Sequence, residues 1–344
     1  MLTNANQLLE RNLDVFEQKK LLVVNCPDDA GIEMLMQETS ADITVIALDW
    51  RSFEVASKTC QQTFFSHQLP ADCPSHDAIL IYYPKSKQEF EYIFHMAAPV
   101  LQENADVYVV GDNKGGVKSA QKQLAGYCAS IGKVDAARHC ILYHGQLTEA
   151  VPEFRVEAWF KQYDVSIGER ALQVYSLPGV FSHGELDIAT RLLLEEQTDK
   201  PRGRVLDFGC GAGVITAWLA SRNENATVEA IDVSALALAS TEKTLNANEV
   251  DAKVYPSNGW SQVKGVFNGI YTNPPFHKGV KTDYNVTESF IRGCKAHLKS
   301  KGQLHLVANS FLKYPPIIED TIGTCHIVAK NKGFQLYRAS YFMR

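Results

Sequence analysis

A chain of 344 residues with 45% apolar and 21% charged side chains has a globular composition and is long enough for two cores. Its formal charge of −5 excludes a protein held on nucleic acid by bulk positive charge, so any basic surface must be local. No apolar run approaches the roughly 20 residues that cross a bilayer. The N-terminus, with Asn4, Asn6, Glu10 and Arg11, lacks the basic-then-apolar layout of a signal peptide, so a cytoplasmic protein without membrane association is expected; a monomer is expected as well.

In chain order, strands alternate with helical stretches twice, which predicts open and mostly parallel sheets. Leu21–Asn25 is the first predicted strand, and Asn25-Cys26-Pro27-Asp28-Asp29-Ala30-Gly31 follows it as a turn. Val45–Asp49 and Ala78–Tyr83, the latter running into Pro84-Lys85, are the next two strands. Phe154–Glu157 and Tyr175–Leu177 are predicted as short strands in a linker spanning roughly 150–177. Arg204–Phe208 is a strand ending in a Gly-rich turn, and Val214–Ala220 has helical apolar spacing. Thr227–Ile231, helix Leu236–Leu245, Gly269–Tyr271 and Gln303–Val307 continue the alternation, and Phe334–Phe342 is expected to close the sheet. The eight cysteines (Cys26, Cys60, Cys73, Cys128, Cys140, Cys210, Cys294, Cys325) form no Cys-x-x-Cys pair, so they read as free, buried thiols, and no metal site is expected.

The two halves repeat one plan. Asn25–Gly31 stands where Asp207–Gly213 stands later, Asp49 matches Asp232, and Tyr83 matches Asn273. These offsets drift only from about 182 to about 190 residues, as small loop insertions produce. Pro27 and Asp29 replace Gly209 and Gly211 in the early copy. Proline restricts the backbone, and a side chain at the second glycine position bars a ligand from close approach. The first copy is therefore expected to have lost both cofactor and catalysis.

The later copy carries the chemistry. Gly209, Gly211 and Gly213 let backbone come close to a ligand at a helix N-terminus. Val214 stands near where a nicotinamide fingerprint needs its next glycine, and the Gly-Lys-Ser/Thr of a P-loop is absent. Asp232, about 19 residues beyond Gly213, is expected to accept from a ribose diol. Asp207 is expected to receive the ammonium of the methionine part of S-adenosylmethionine. Asn258 is placed to accept from the adenine amine, with Trp260 nearby as a ring contact. Asn273-Pro274-Pro275-Phe276 follows a strand and so lies at the carboxyl edge of the sheet. The Asn273 side-chain oxygen and the Pro274 carbonyl are expected to accept from a substrate amine, with Phe276 as a stacking face. The reaction predicted is methyl transfer to an amino nitrogen of a planar substrate.

The run Val205–Gly213, then Asn273-Pro274-Pro275-Phe276-His277-x-Gly279, Leu177–Ser182 with Asp187, and Asn309-x-Phe311-Leu312-x-Tyr314-Pro315 resemble bacterial ribosomal RNA guanine-N2 methyltransferases, the small-subunit (16S) branch above all. The resemblance spans essentially the whole chain. It implies methylation of the exocyclic N2 of one guanine in 16S rRNA, presented on the 30S ribosomal subunit or an assembly intermediate. It also implies that Phe181 and Ser182 cap the cofactor–substrate cleft, and that His277, Lys278 and Gly279 meet substrate. By the same resemblance the first domain binds RNA, through the loop holding Lys114 and Lys118, which with Lys122 are expected on one helix face. Lys281 and Arg292 are further RNA candidates.

The fold expected is thus α/β, two tandem Rossmann-like methyltransferase domains. Residues 1–165 form a degenerate, RNA-supporting duplicate and 166–344 the catalytic domain. The competing readings are a 23S rRNA guanine-N2 enzyme, a protein-glutamine methyltransferase, and an RNA-binding assembly factor with residual cofactor affinity. Intact Asp207, Gly211, Asp232 and Asn273 weigh against the last of these.

Overall fold

The structure, a computed structural model, describes residues 1–274 and 281–342, with the side chains of 281–286 left aside. The chain divides into two compact units, Met1–Phe160 and Lys161–Arg344. Among the described residues, no helix is long and apolar enough to cross a membrane.

The first unit runs α1 (Asn4–Leu9), β1 (Lys20–Val24), α2 (Gly31–Glu38), β2 (Asp42–Ala47), α3 (Trp50–Ala56), β3 (Thr63–Phe65) and β4 (His76–Tyr82). It continues with α4 (Lys87–Ala97), β5 (Leu101–Asp112), α5 (Ser119–Leu124), β6 (Cys128–Ala137) and β7 (Cys140–Leu147). Its sheet has the order β3-β2-β1-β4-β5-β7-β6, the first five strands parallel and β7 antiparallel to both neighbours. Leu21 to Val24 are all buried, the unbroken apolar run of a parallel strand buried on both faces. Phe154–Glu157 is not a strand. Phe154, and Trp159 at the end of a 3-10 turn (Val156–Trp159), instead pack edge-on against Tyr92 at 5.3 and 5.5 Å, so the apolar spacing there serves an aromatic cluster.

The second unit opens with a hairpin, β8 (Lys161–Ile167) and β9 (Arg170–Ser176), so it begins after Phe160 rather than after residue 165. It continues with α6 (Ile188–Glu195), β10 (Arg204–Phe208), α7 (Val214–Arg222), β11 (Thr227–Asp232), α8 (Ala235–Ala247), β12 (Lys253–Pro256) and β13 (Phe267–Thr272). The remaining elements are α9 (Lys281–His297), β14 (Leu298–Asn309), α10 (Pro315–Thr321), β15 (Cys325–Asn331) and β16 (Phe334–Ser340). The hairpin is pinned to α8. The Gln173 N–H donates to the Asn248 amide oxygen (3.0 Å), the Asn248 amide donates back to the Gln173 carbonyl (2.7 Å), and the Tyr175 N–H donates to the Thr244 hydroxyl (3.0 Å).

Strand order here is β12-β11-β10-β13-β14-β16-β15, the same plan, with the same antiparallel closing pair. The duplication read from the sequence is therefore a duplication of topology. The core of this unit gathers Leu206, Ile231, Phe267, Ile270, Leu304 and Tyr337. The chain leaves β10 for β11 on one side and later returns to β13 on the other. That reversal opens a crevice at the carboxyl ends of these strands, where ligands bind in doubly wound sheets.

Candidate active site

The turn after β10 holds Gly209, Gly211 and Gly213 at φ of +80°, +55° and +78°, the left-handed region that favours glycine. Ile231 anchors it, its carbonyl accepting from the N–H groups of both Gly209 and Cys210 at 2.9 Å. Among the described residues, a Cβ added at Gly209 or Gly211 would meet nothing within 4 Å. At Gly213 it would strike the Thr241 backbone at 2.8 Å. Gly209 and Gly211 thus leave space for a ligand, whereas Gly213 also lets α7 lie close on α8. Cys210 within the turn is buried, and burial pushes its thiol well above the ordinary range, so it offers no nucleophile.

Asp207, one residue before the end of β10, is fully buried. Its Oδ2 accepts from the Thr216 hydroxyl at 2.5 Å, and its Oδ1 has no partner among the described residues. Burial pushes its carboxyl up to about 7, the Thr216 hydrogen bond working against this and the nearby Asp232 charge adding to it. A buried acceptor without a donor is costly, and a ligand ammonium suits that place. Asp232 ends β11 half-buried. One of its oxygens accepts from the Gly211 N–H and the other from the Ser234 N–H, each at 3.0 Å, so the acid braces the glycine turn.

Asn258 is exposed on the loop after β12, and that loop is tied to β11 by the Ser257 N–H donating to the Asp232 carbonyl at 3.1 Å. Trp260 is not left for a ligand ring. Its indole stacks on His297 (4.4 Å, 6°) and Phe290 (5.4 Å, 9°), and its Nε1 donates to the Phe290 carbonyl at 3.1 Å. Gly293, which cannot carry a Cβ beneath that indole, makes the room on α9.

Asn273 stands just past β13 and half-buried, and Pro274 after it is buried. The Thr272 hydroxyl donates to the Phe208 carbonyl at 2.8 Å, tying the end of β13 to the glycine turn. The Asn273 amide nitrogen donates to Asp187 Oδ2 and to Thr190 Oγ1, both at 2.9 Å. Asp187 is the N-cap of α6, and the same Oδ2 accepts the Thr190 N–H at 2.9 Å. With its nitrogen engaged, the planar amide turns its oxygen to the other side. Sequence reasoning noted Asp187 but missed its role, and missed Thr190 and Thr216. The one legible signal was an acid three residues before a threonine at a helix start.

Phe181 is exposed, and Ser182 adopts φ +57° in the loop after β9, where Pro178-Gly179 makes a turn. His183 sits beside them, its Nδ1 at 2.9 Å from the Ser176 hydroxyl. Phe276, His277, Lys278 and Gly279 lie outside the described residues, as does the side chain of Lys281. Arg292 is engaged by Glu288 at 2.8 Å and Asp320 at 3.5 Å. In the first unit Lys114, Lys118 and Lys122 are exposed but do not share one helix face. Gly115 and Gly116 (φ +93°) keep Lys114 in a turn, Lys118 is the N-cap, and only Lys122 lies within α5.

The equivalent site in the first unit is filled by its own chain. Asp29 accepts from the Asn6 amide (2.5 Å), the Gly31 N–H (2.9 Å) and the Thr3 N–H (2.5 Å), and a Cβ on Gly31 would collide with Asn6. Asp49 forms a bidentate pair with Arg51, and Tyr83 stacks on Phe90 and donates to Gln123.

The doubly wound topology, the glycine turn, the buried Asp207 and the held Asn273 amide fit a nucleoside-cofactor methyltransferase. Residues 171–338 match the Methyltransferase small domain family and residues 6–163 its N-terminal domain family. The chain belongs to the family of ribosomal RNA small subunit methyltransferase C. The relative of that name from Aliivibrio fischeri is 41% identical over 97% of this chain and 98% of its own length. The one from Aeromonas hydrophila is 39% identical over 97% of each. In fold, the chain is similar to a T. thermophilus 16S rRNA N2 methyltransferase solved with AdoMet and guanosine (TM-score 0.86, 24% identity, 98% of this chain and 92% of that one).

Proposed function

We propose that the second unit transfers a methyl group from S-adenosylmethionine to the exocyclic N2 of a guanine in 16S rRNA, presented on the small ribosomal subunit or an assembly intermediate in the cytoplasm. The observation that carries this reading is the Asn273 amide, its nitrogen held by Asp187 and Thr190, just past the end of β13 that Thr272 ties to Phe208 at the start of the glycine turn. Asp207 takes the ammonium of the cofactor, Asp232 its ribose diol and Asn258 its adenine amine, with Phe181 and Ser182 closing over the cleft. The bound cofactor supplies an electrophilic methyl group on a sulfonium.

A guanine amine is a weak nucleophile because its lone pair is delocalised into the ring. The Asn273 oxygen and the Pro274 carbonyl accept its two N–H bonds, draw the nitrogen toward tetrahedral geometry and stabilise the charge that develops on methylation. The nitrogen gives up a proton to water after the new N–C bond forms, so the site needs positioning more than a strong base. The roles expected of Phe276, as a stacking partner of the base, and implied by the family resemblance for His277, Lys278 and Gly279, in meeting substrate, fall on residues outside the described ones. A paired guanine must leave its stack to reach Asn273. Lys114 and Lys118 of the first unit meet RNA phosphates as local positive charge on a net-negative protein.

Tritiated methyl from S-adenosylmethionine should pass to undermethylated small subunits and appear as N2-methylguanine after nucleoside digestion. Label on 23S rRNA, on adenine or on a protein glutamine would overturn the substrate assignment.

A further inference from the structure

An asparagine amide is nearly symmetric in shape, so packing alone does not decide which end faces a substrate. Only one of its two flips presents an acceptor to an incoming amine. Of the two groups that hold the Asn273 nitrogen at 2.9 Å, the Thr190 hydroxyl can donate as well as accept and therefore satisfies either flip. A carboxylate only accepts, so Asp187 discriminates between them. We propose that Asp187 is the positioning residue of this site: it locks the Asn273 amide with its oxygen toward the substrate, and Thr190 completes the clamp. This rests on the reading of Asn273 as the acceptor of the guanine amine.

Asp187 is itself held rigidly. It caps α6 with extended backbone (φ −62°, ψ 141°), and its Oδ2 takes both the Thr190 N–H and the Asn273 amide. The helix N-terminus favours its charge, so the helix that Asp187 starts also keeps Asp187 in place. Its charge on the nitrogen side of the amide also polarises Asn273, strengthening the oxygen as an acceptor.

The test compares variants in steady-state transfer from tritiated S-adenosylmethionine to undermethylated small subunits, with cofactor affinity and melting temperature measured alongside. Serine caps helices as aspartate does but is too short to reach Asn273. Asp187→Ser should lower kcat by about 10- to 100-fold while KM values and cofactor affinity stay within about twofold. Asp187→Asn keeps shape and cap and an oxygen that can still accept, so its kcat should fall less than that of Asp187→Ser but clearly below wild type. Asn273→Ala serves as the reference. If Asn273→Ala is inactive while both Asp187 variants keep wild-type kcat, or change only KM, the positioning role is overturned. Turnover retained by Asn273→Ala would instead overturn the reading of Asn273 on which the proposal rests. Should Asp187→Ser fold poorly, Asp187→Asn alone decides: wild-type kcat sinks the proposal and a selective fall in kcat sustains it.

Discussion

The turns at 25–31 and 207–213 close the same strand-to-helix step of the same sheet order, yet one is packed with protein and the other is bare. In the first unit Asp29 reaches across to Asn6 and Thr3, which ties the start of α1 to the turn. In the second the corresponding position is Gly211, where an added Cβ would meet nothing within 4 Å among the described residues. The acids after the second strands diverge likewise: Asp49 is consumed by Arg51, whereas Asp232 braces the glycine turn. A duplicated fold can thus keep its architecture while a few side chains fill the crevice that the architecture creates. Fold is shared; function resides in the site.

Four changes would break or sharpen that comparison. Asn273→Ala removes the acceptor that Tyr83 replaces in the first unit, and transfer should fall by about 100- to 1,000-fold with cofactor affinity unchanged. Rate and calorimetric affinity, measured together, check this. Gly211→Asp imposes the first unit's residue on the second. The side chain enters open space, so the fold should survive the strain at φ +55°, but cofactor affinity should fall by about 100-fold in calorimetry.

Asp207→Asn should have two opposite effects, weakening the cofactor by about tenfold and raising the melting temperature of the ligand-free protein. The sign follows from its carboxyl, which burial lifts from an ordinary 3.8 to about 7. Between those values the folded chain holds a proton that the unfolded chain has released. The stability this confers is complete below about 4 and is lost as pH rises through about 7. Melting curves against pH should show that decline in the wild type and a flatter profile in Asp207→Asn. The smallest effect is expected for Asp29→Ala. It should cost about 1–3 kcal/mol of stability, since it orphans the Asn6 amide, and leave cofactor affinity unchanged. Urea unfolding followed by a cofactor titration would check both halves. A gain of a second cofactor site would show that Asp29, not α1, keeps the first unit closed.

Much of this was legible in the chain. The apolar runs predicted β1, β2, β4, β10 and β11, and aligning Asn25–Gly31 with Asp207–Gly213 revealed the repeat, because glycine, proline and acids at strand ends carry backbone and charge demands that are local. Those local demands were misread where the partner was distant. Gly213 carried the same signal as Gly211, and its second demand, the packing of α7 on α8, was not visible along the chain. Trp260 looked free for a ring contact until α9 supplied Phe290 and His297. Lys114 fell off the helix because two glycines follow it.

Alone, the residue order determined the α/β plan, its duplication, which copy retained an open glycine turn, and the amide at the end of β13. Each follows from the intrinsic geometry of a few neighbouring residues. Tertiary structure decided which way that amide faces, because its nitrogen is held by Asp187 and Thr190, 86 and 83 residues away in the chain. It also decided that Asn6 packs against Asp29 in the first turn and that, among the described residues, Asp207 is buried with an unmet acceptor. Hydrogen bonds across such separations depend on how helices and strands pack, and no spacing along the chain encodes them.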